Sequence, residues 1–173
     1  GWGFRQPRPA FCRIGVGALL AYFALCAINH HLALKRVEEF ARHPEASGAL
    51  EVNRMAALPA PLSLFRWSGL ILTPAGVYQS QFSLLDRQPP AFEFIASAPP
   101  NRYIEAAERL ASVRTFRWFA RFPVVAYRNT GSLHIVEYSD LRFRGGFRRR
   151  PAFTYQVVLN AGARVLSAGW LGS

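Results

Sequence analysis

Ile14 to Ile28 is an unbroken apolar run, and it continues through Asn29-His30-His31 into Leu32, Ala33 and Leu34. At about 1.5 Å per helical residue, Phe11–Leu34 is roughly 36 Å long. A bilayer's hydrocarbon core is about 30 Å thick, so this stretch is long enough to cross one. Arg5, Arg8 and Arg13 flank it before, and Lys35 and Arg36 flank it after. Tyr22 and Phe23 fall mid-span, and Trp2 is placed to anchor in a headgroup region. Two other readings fit part of the pattern. A secretory signal also joins basic residues to an apolar run, but no small-x-small cleavage site follows. Phe23-Ala24-Leu25-Cys26 also lacks the small residue that a lipoprotein signal needs before its Cys. A buried helix of a soluble protein is the third reading, because the strictly uninterrupted run is short. Orientation stays open: Arg5, Arg8 and Arg13 on one side balance Lys35, Arg36 and Arg42 on the other.

Cys26 and His30 are four apart and share a helix face. A structural zinc needs four ligands, and the sequence offers no third nearby. Asn29-His30-His31 therefore reads more simply as a polar patch at a membrane boundary, or as a contact with further helices. Cys12 and Cys26 are the only cysteines, which excludes a disulfide framework or a Cys-based zinc site in the rest of the chain. The chain starts at Gly1 and not at Met, so a processed form or a piece of a larger protein is expected.

Beyond the apolar run, 51% hydrophobic and 14% aromatic residues suffice for a packed core. The net charge of +11 is almost wholly arginine, with Lys35 the only lysine. Such a balance, beside many alanines, reads as GC-rich codon usage and says little about partners. Val37, Phe40 and Ala41 prolong the helix into water until His43-Pro44 stops it, and Ser47-Gly48 reads as a hinge. Period-two alternation then takes over. Strands are expected over Val52–Leu58, Leu62–Leu72 and Val77–Leu84, the last two joined by the turn Thr73-Pro74-Ala75-Gly76. Phe65, Trp67 and Ile71 fall on one face, Arg66 and Ser68 on the other. Pro89-Pro90 and Pro99-Pro100 bracket a loop. Asn101–Ala111 has helical spacing, a second helical piece runs through Phe116 and Phe119, and Pro123 ends it. Strands follow over Pro123–Tyr127, Leu133–Phe143, Phe153–Leu159 and Arg164–Ala168. The fold class expected is α+β: residues 1–43 form the membrane helix and its extension, and residues 44–173 form an antiparallel sheet domain with one or two helices packed on it. Trp67 and Phe119 are expected in its core, and Arg66 outside it.

Three stretches, in order after an apolar helix, carry a resemblance. They are Pro61-Leu62-Ser63-Leu64-Phe65-Arg66-Trp67, Trp118-Phe119-Ala120-Arg121-Phe122-Pro123, and Tyr138-Ser139-Asp140-Leu141-Arg142-Phe143. Over residues 14–168 the chain resembles the C-terminal half of bacterial membrane-bound proteins regarded as metal-dependent hydrolases, also described as LexA-binding and inner-membrane-associated. The resemblance implies a bacterial cytoplasmic-membrane location. It also implies that the His and Asp residues thought to hold the divalent metal lie on helices upstream, outside this chain. No catalytic residue carries over and no cofactor is expected here. Trp67, Arg121, Asp140 and Arg142 match the family's motif positions, with no role attached.

The residues themselves point to little chemistry. On a strand, Asp140 and Arg142 share a face, and Arg144 joins them if no bulge intervenes. That row reads either as a salt bridge on a solvated face or as an anion patch. His134 has no nucleophile or carboxylate tied to it by any motif. Asp86 and Glu93 are isolated loop acids. Phosphate-loop, dinucleotide and zinc-hydrolase signatures are absent. Arg142-Phe143-Arg144-Gly145-Gly146-Phe147-Arg148-Arg149-Arg150 reads first as a solvated loop. Contact of Arg144, Arg148, Arg149 and Arg150 with anionic headgroups comes next, and nucleic acid last. The functional expectation is a membrane-anchored accessory domain of a metal-dependent hydrolase, partnered by the bilayer and by upstream helices. The alternatives are a non-enzymatic membrane-tethered module for protein or anionic lipid, and a basic nucleic-acid-binding domain.

Overall fold

The computed structural model describes residues 9–42, 51–144 and 153–171. The chain begins with one continuous helix, α1 (Pro9–Arg42), about 50 Å long at 1.5 Å per residue. Its two halves live in different surroundings. From Cys12 to Ile28 every residue is exposed except Cys26, which is half-buried. From Asn29 onward a stripe at spacing four, Asn29-Ala33-Val37, is fully buried, and Leu34, Phe40 and Ala41 pack beside it. The spacing places these residues on one helix face, as burial against a sheet requires.

That sheet is antiparallel, in the order β1 (Arg54–Pro59), β2 (Arg66–Thr73), β3 (Gly76–Ser83) and β4 (Glu93–Ala96). Trp67, Ile71, Ala57 and Phe82 face α1. Gly69, between Trp67 and Ile71, lets the helix come close: a Cβ there would lie 2.8 Å from Val37 Cγ2. The β2–β3 turn ends on Gly76 at φ +156°, where a Cβ would meet the Ile95 carbonyl oxygen at 2.3 Å. Glycine at this position is what lets β4 pair with β3.

The opposite face of this sheet is buried too. Leu70 and Val77 pack on Phe122, Val124 and Leu141 of the second half of the chain. This explains why β2 reads Gly69-Leu70-Ile71-Leu72, apolar without alternation: it is covered on both sides.

The second sheet runs in the order β5 (Pro123–Asn129), β6 (Leu133–Asp140), β7 (Thr154–Asn160) and β8 (Val165–Trp170), also antiparallel. Two short helices, α2 (Arg102–Glu108) and α3 (Ala111–Phe119), cover one of its faces. Asn101 caps α2 through its side-chain oxygen, which accepts from the Tyr103 and Ile104 amides. Tyr103, Ile104, Val113 and Phe116 then pack on Val136, Tyr138, Val157 and Leu159.

The α+β class and the Thr73–Gly76 hairpin stand as expected. The strands divide into two four-stranded sheets, where alternation alone suggested a single sheet. The proline-bracketed loop contains β4, whose Phe94 and Glu93 are exposed and so give no clean alternation. Trp67 is buried and Arg66 exposed, as expected, but Phe119 is 50% exposed. It stands at the last turn of α3, beyond the Val113–Phe116 face that meets the sheet. The expected helix stop at His43-Pro44, the Ser47-Gly48 hinge, Trp2 with its basic neighbours Arg5 and Arg8, and the run Gly145-Gly146-Phe147-Arg148-Arg149-Arg150 lie outside the described residues.

The burial contrast gives a stability test. Trp67→Ala should cost about 3–5 kcal/mol in denaturant unfolding. Trp118→Ala, at 84% exposure, should stay within about 0.5 kcal/mol. Equal effects would mean the core is misplaced.

Candidate functional site

Asp140 is the only fully buried carboxylate among the described residues. The expectation that Arg142 joins it by strand alternation is corrected by the structure. β6 ends at Asp140, and Leu141–Phe143 forms a single 3-10 turn that folds Arg142 back over the carboxylate. Asp140 Oδ1 accepts from the Arg142 amide at 3.1 Å and from the Phe122 amide at 3.4 Å. Oδ2 accepts from the Arg121 amide and from Arg142 Nε, both at 2.9 Å, and lies 2.8 Å from Arg142 Nη2. Arg142 Nη2 also donates to the Phe119 carbonyl at 3.2 Å, and its guanidinium lies 5.1 Å from the centres of the Phe119 and Phe143 rings.

A carboxylate offers about four lone-pair directions, and these donors occupy them. Asp140 therefore ties the end of α3, the entry to β5 and the end of β6 together, with no lone pair left over for a metal or a substrate. Arg121 takes part through its backbone; its side chain is exposed. Of the four motif positions, Arg121, Asp140 and Arg142 meet in this cluster. Trp67 lies apart, in the core against α1.

His134 is equally committed. Its Nδ1 is 2.7 Å from the Tyr127 hydroxyl, and its ring stacks on Tyr103 with centroids 3.6 Å apart. His30 lies against the Trp67 indole at 5.7 Å, and Cys26 lines a cavity nearby. Among the described residues no three His, Cys, Asp or Glu side chains gather as a metal site. Glu93 is an exposed residue of β4.

Two cavities meet at Trp67. One, of about 680 Å3, opens between the first sheet and the Arg142–Arg144 segment; Ser68, Gln81, Arg66, Asp86, Arg142 and Arg144 line it. So Arg144 does join Arg142, on one wall of a cleft rather than along a strand. The other, of about 530 Å3, lies between α1 at Tyr22 and Cys26 and the β1–β2 loop at Leu62 and Leu64. The loop is fixed to the helix by Asn29, whose side-chain amide donates to the Leu64 carbonyl at 3.1 Å. On the other side of the same sheet end, Arg36 donates to the carbonyls of Ser83, Leu84 and Asp86 at 2.7–3.1 Å. Sequence reasoning missed the roles of Asn29, Arg36 and Arg66. A polar residue recurring at helical spacing with the buried stripe was the available signal for Asn29.

Compared with known protein families, curated proteins and solved structures, the chain matches none of them. The resemblance to membrane-bound hydrolases therefore rests on the three motif stretches.

Tyr138 is fully buried, and its hydroxyl has no hydrogen-bond partner among the described residues. Burial, reinforced by Glu108, pushes its pKa well above the ordinary 10.0. The unfolded chain would then ionise first, so this group draws stability down as pH rises past about 10. Tyr138→Phe should leave stability at neutral pH unchanged or raise it by about 1 kcal/mol, because an unpaired buried hydroxyl is removed. It should also flatten the alkaline decline. Asp140→Ala should cost about 3–5 kcal/mol, the range for leaving one partner of a buried ion pair uncompensated. Denaturant titration across pH measures all three; a neutral Asp140→Ala would refute the structural role.

Proposed function

We propose that this chain is a membrane-anchored accessory domain that does no catalysis itself. One observation carries the reading: from Cys12 to Ile28 the helix is apolar and almost wholly uncovered, while the same helix from Asn29 onward is part of a domain core. A core helix of a soluble protein would be covered along its length. Leaving Ile14, Val16, Leu19, Leu20, Phe23 and Ile28 in water would sacrifice roughly 1.5–3 kcal/mol per large side chain. Burial in hydrocarbon recovers that. The buried Asn29 and the charged Lys35 and Arg36 then mark the water side of the boundary.

The motif positions support an accessory role. Trp67 packs the core, and Asp140 is filled by three backbone amides and the Arg142 guanidinium. By resemblance, the chain would serve a metal-dependent hydrolase of the bacterial cytoplasmic membrane, with any divalent metal held by upstream helices. The second reading, a membrane-tethered module for an anionic lipid, is favoured by the arginine-lined cleft that meets the helix-side cavity at Trp67. Arg148–Arg150, on which a nucleic-acid reading rests, lie outside the described residues.

Expressed in a bacterium, the chain should stay with membranes after alkaline carbonate washing. Recovery as a monodisperse soluble monomer contradicts the anchor. Metal analysis of the purified chain should find no stoichiometric zinc, manganese or magnesium. One metal per chain, lost on His134→Ala or Asp140→Ala, contradicts the accessory role.

A further inference from the structure

We propose that the two cavities meeting at Trp67 form one binding site for an anionic phospholipid, acyl chain in one and headgroup in the other. The inference rests on the reading that α1 lies in a bilayer, and it adds a specific lipid contact to it.

The helix-side cavity is apolar and sits beside the uncovered half of α1. Tyr22 and Cys26, two turns and one turn before Asn29, form one wall, and Leu62 and Leu64 form the other. Leu62 is fully exposed and holds φ +59°, a left-handed backbone that non-glycine residues rarely adopt. A strained, outward-pointing leucine next to a membrane helix is costly in water and well placed in lipid. The Ser63 hydroxyl, accepting from the Arg66 amide at 3.1 Å, helps hold this loop in place.

Through Trp67 the apolar cavity gives way to the arginine-lined cleft. Arg142 is neutralised by Asp140, but no ion pair among the described residues involves Arg66 or Arg144. Asp86 faces the same cleft, so one net positive charge remains there. That suits the single negative charge of a phosphodiester and is poorly matched to a multiply phosphorylated headgroup. Trp67 lines both cavities, and its buried indole N–H has no acceptor among the described residues. The exposed rings of Phe119, Phe153 and Trp170 continue from Arg142 through Phe143, giving an aromatic surface of the kind enriched at headgroup level.

The test is native mass spectrometry on the full chain, delipidated in detergent and then offered phosphatidylglycerol, phosphatidylcholine or glycerol phosphate. One phosphatidylglycerol per chain should be retained, roughly tenfold better than phosphatidylcholine, as expected for one or two arginines acting on an anionic headgroup. Arg66→Gln with Arg144→Gln should abolish the preference, Leu62→Gln should weaken retention of phosphatidylglycerol, and Arg87→Gln should change nothing. Thermal unfolding checks that the variants fold, since none of these side chains is in the core. Equal retention of both lipids, or a preference that survives the double variant, overturns the site. Displacement of the lipid by equimolar glycerol phosphate overturns the apolar half. A chain that stays in carbonate-washed membranes yet shows no preference refutes the lipid site and leaves the anchor standing; a chain released by the wash refutes the anchor first.

Discussion

The close approach of α1 to β2 governs the rest of the structure. Gly69 removes the one side chain that would hold the helix off the sheet, and Val37 fills the space. Ala33 above and Phe40 below extend the contact, with Phe40 stacked on Phe92 at 4.2 Å. A larger residue at position 69 would collide with Val37, Phe92 and Phe82 together. Because α1 is one unbroken helix, this packing also fixes where its bare half points. The direction of the bare half and the position of the domain are therefore coupled through the side chains around Gly69.

Asp140 does for the second half of the chain what Gly69 does for the first. A carboxylate buried at the end of a strand is costly unless its oxygens are all used. Here three backbone amides and one guanidinium use them, from the link between α3 and β5 and from the turn after β6. Leu141, the next residue, packs between the two sheets with Leu70, Phe122 and Val124. The polar staple and the apolar interlayer contact thus lie one residue apart, and each restrains the other. The same turn delivers Arg142 and Arg144 to the cleft beside Trp67.

Much of the fold was legible from alternation, spacing and turn chemistry. The apolar helix, the Thr73–Gly76 hairpin, the Asn101-capped helix and the four later strands all announce themselves locally. What stayed hidden depends on contacts distant in sequence. Division into two sheets follows from β5 packing across the first sheet, which no local period encodes. β4 was masked by its prolines and its exposed faces. Asp140 and Arg142 were correctly paired, but for the wrong reason: a 3-10 turn, not strand alternation, joins them. Phe119 looked like core because spacing from Phe116 cannot tell where a helix face runs past the sheet. The cleft residues Arg66 and Arg144 are 78 positions apart by their numbers and meet only through the tertiary fold.

The central claim is that a single rigid helix is in lipid at one end and in a protein core at the other. A nitroxide depth profile tests it most directly. Single labels would be placed at Ile14, Leu20, Phe23, Ile28, Leu32 and Glu39, all on exposed helix positions, in a Cys12→Ser, Cys26→Ala background reconstituted into vesicles. The account predicts high oxygen and low aqueous-relaxant accessibility at Leu20 and Phe23, a crossover near Ile28 to Leu32, and aqueous accessibility at Glu39. Uniform aqueous accessibility from Ile14 to Glu39 would contradict it.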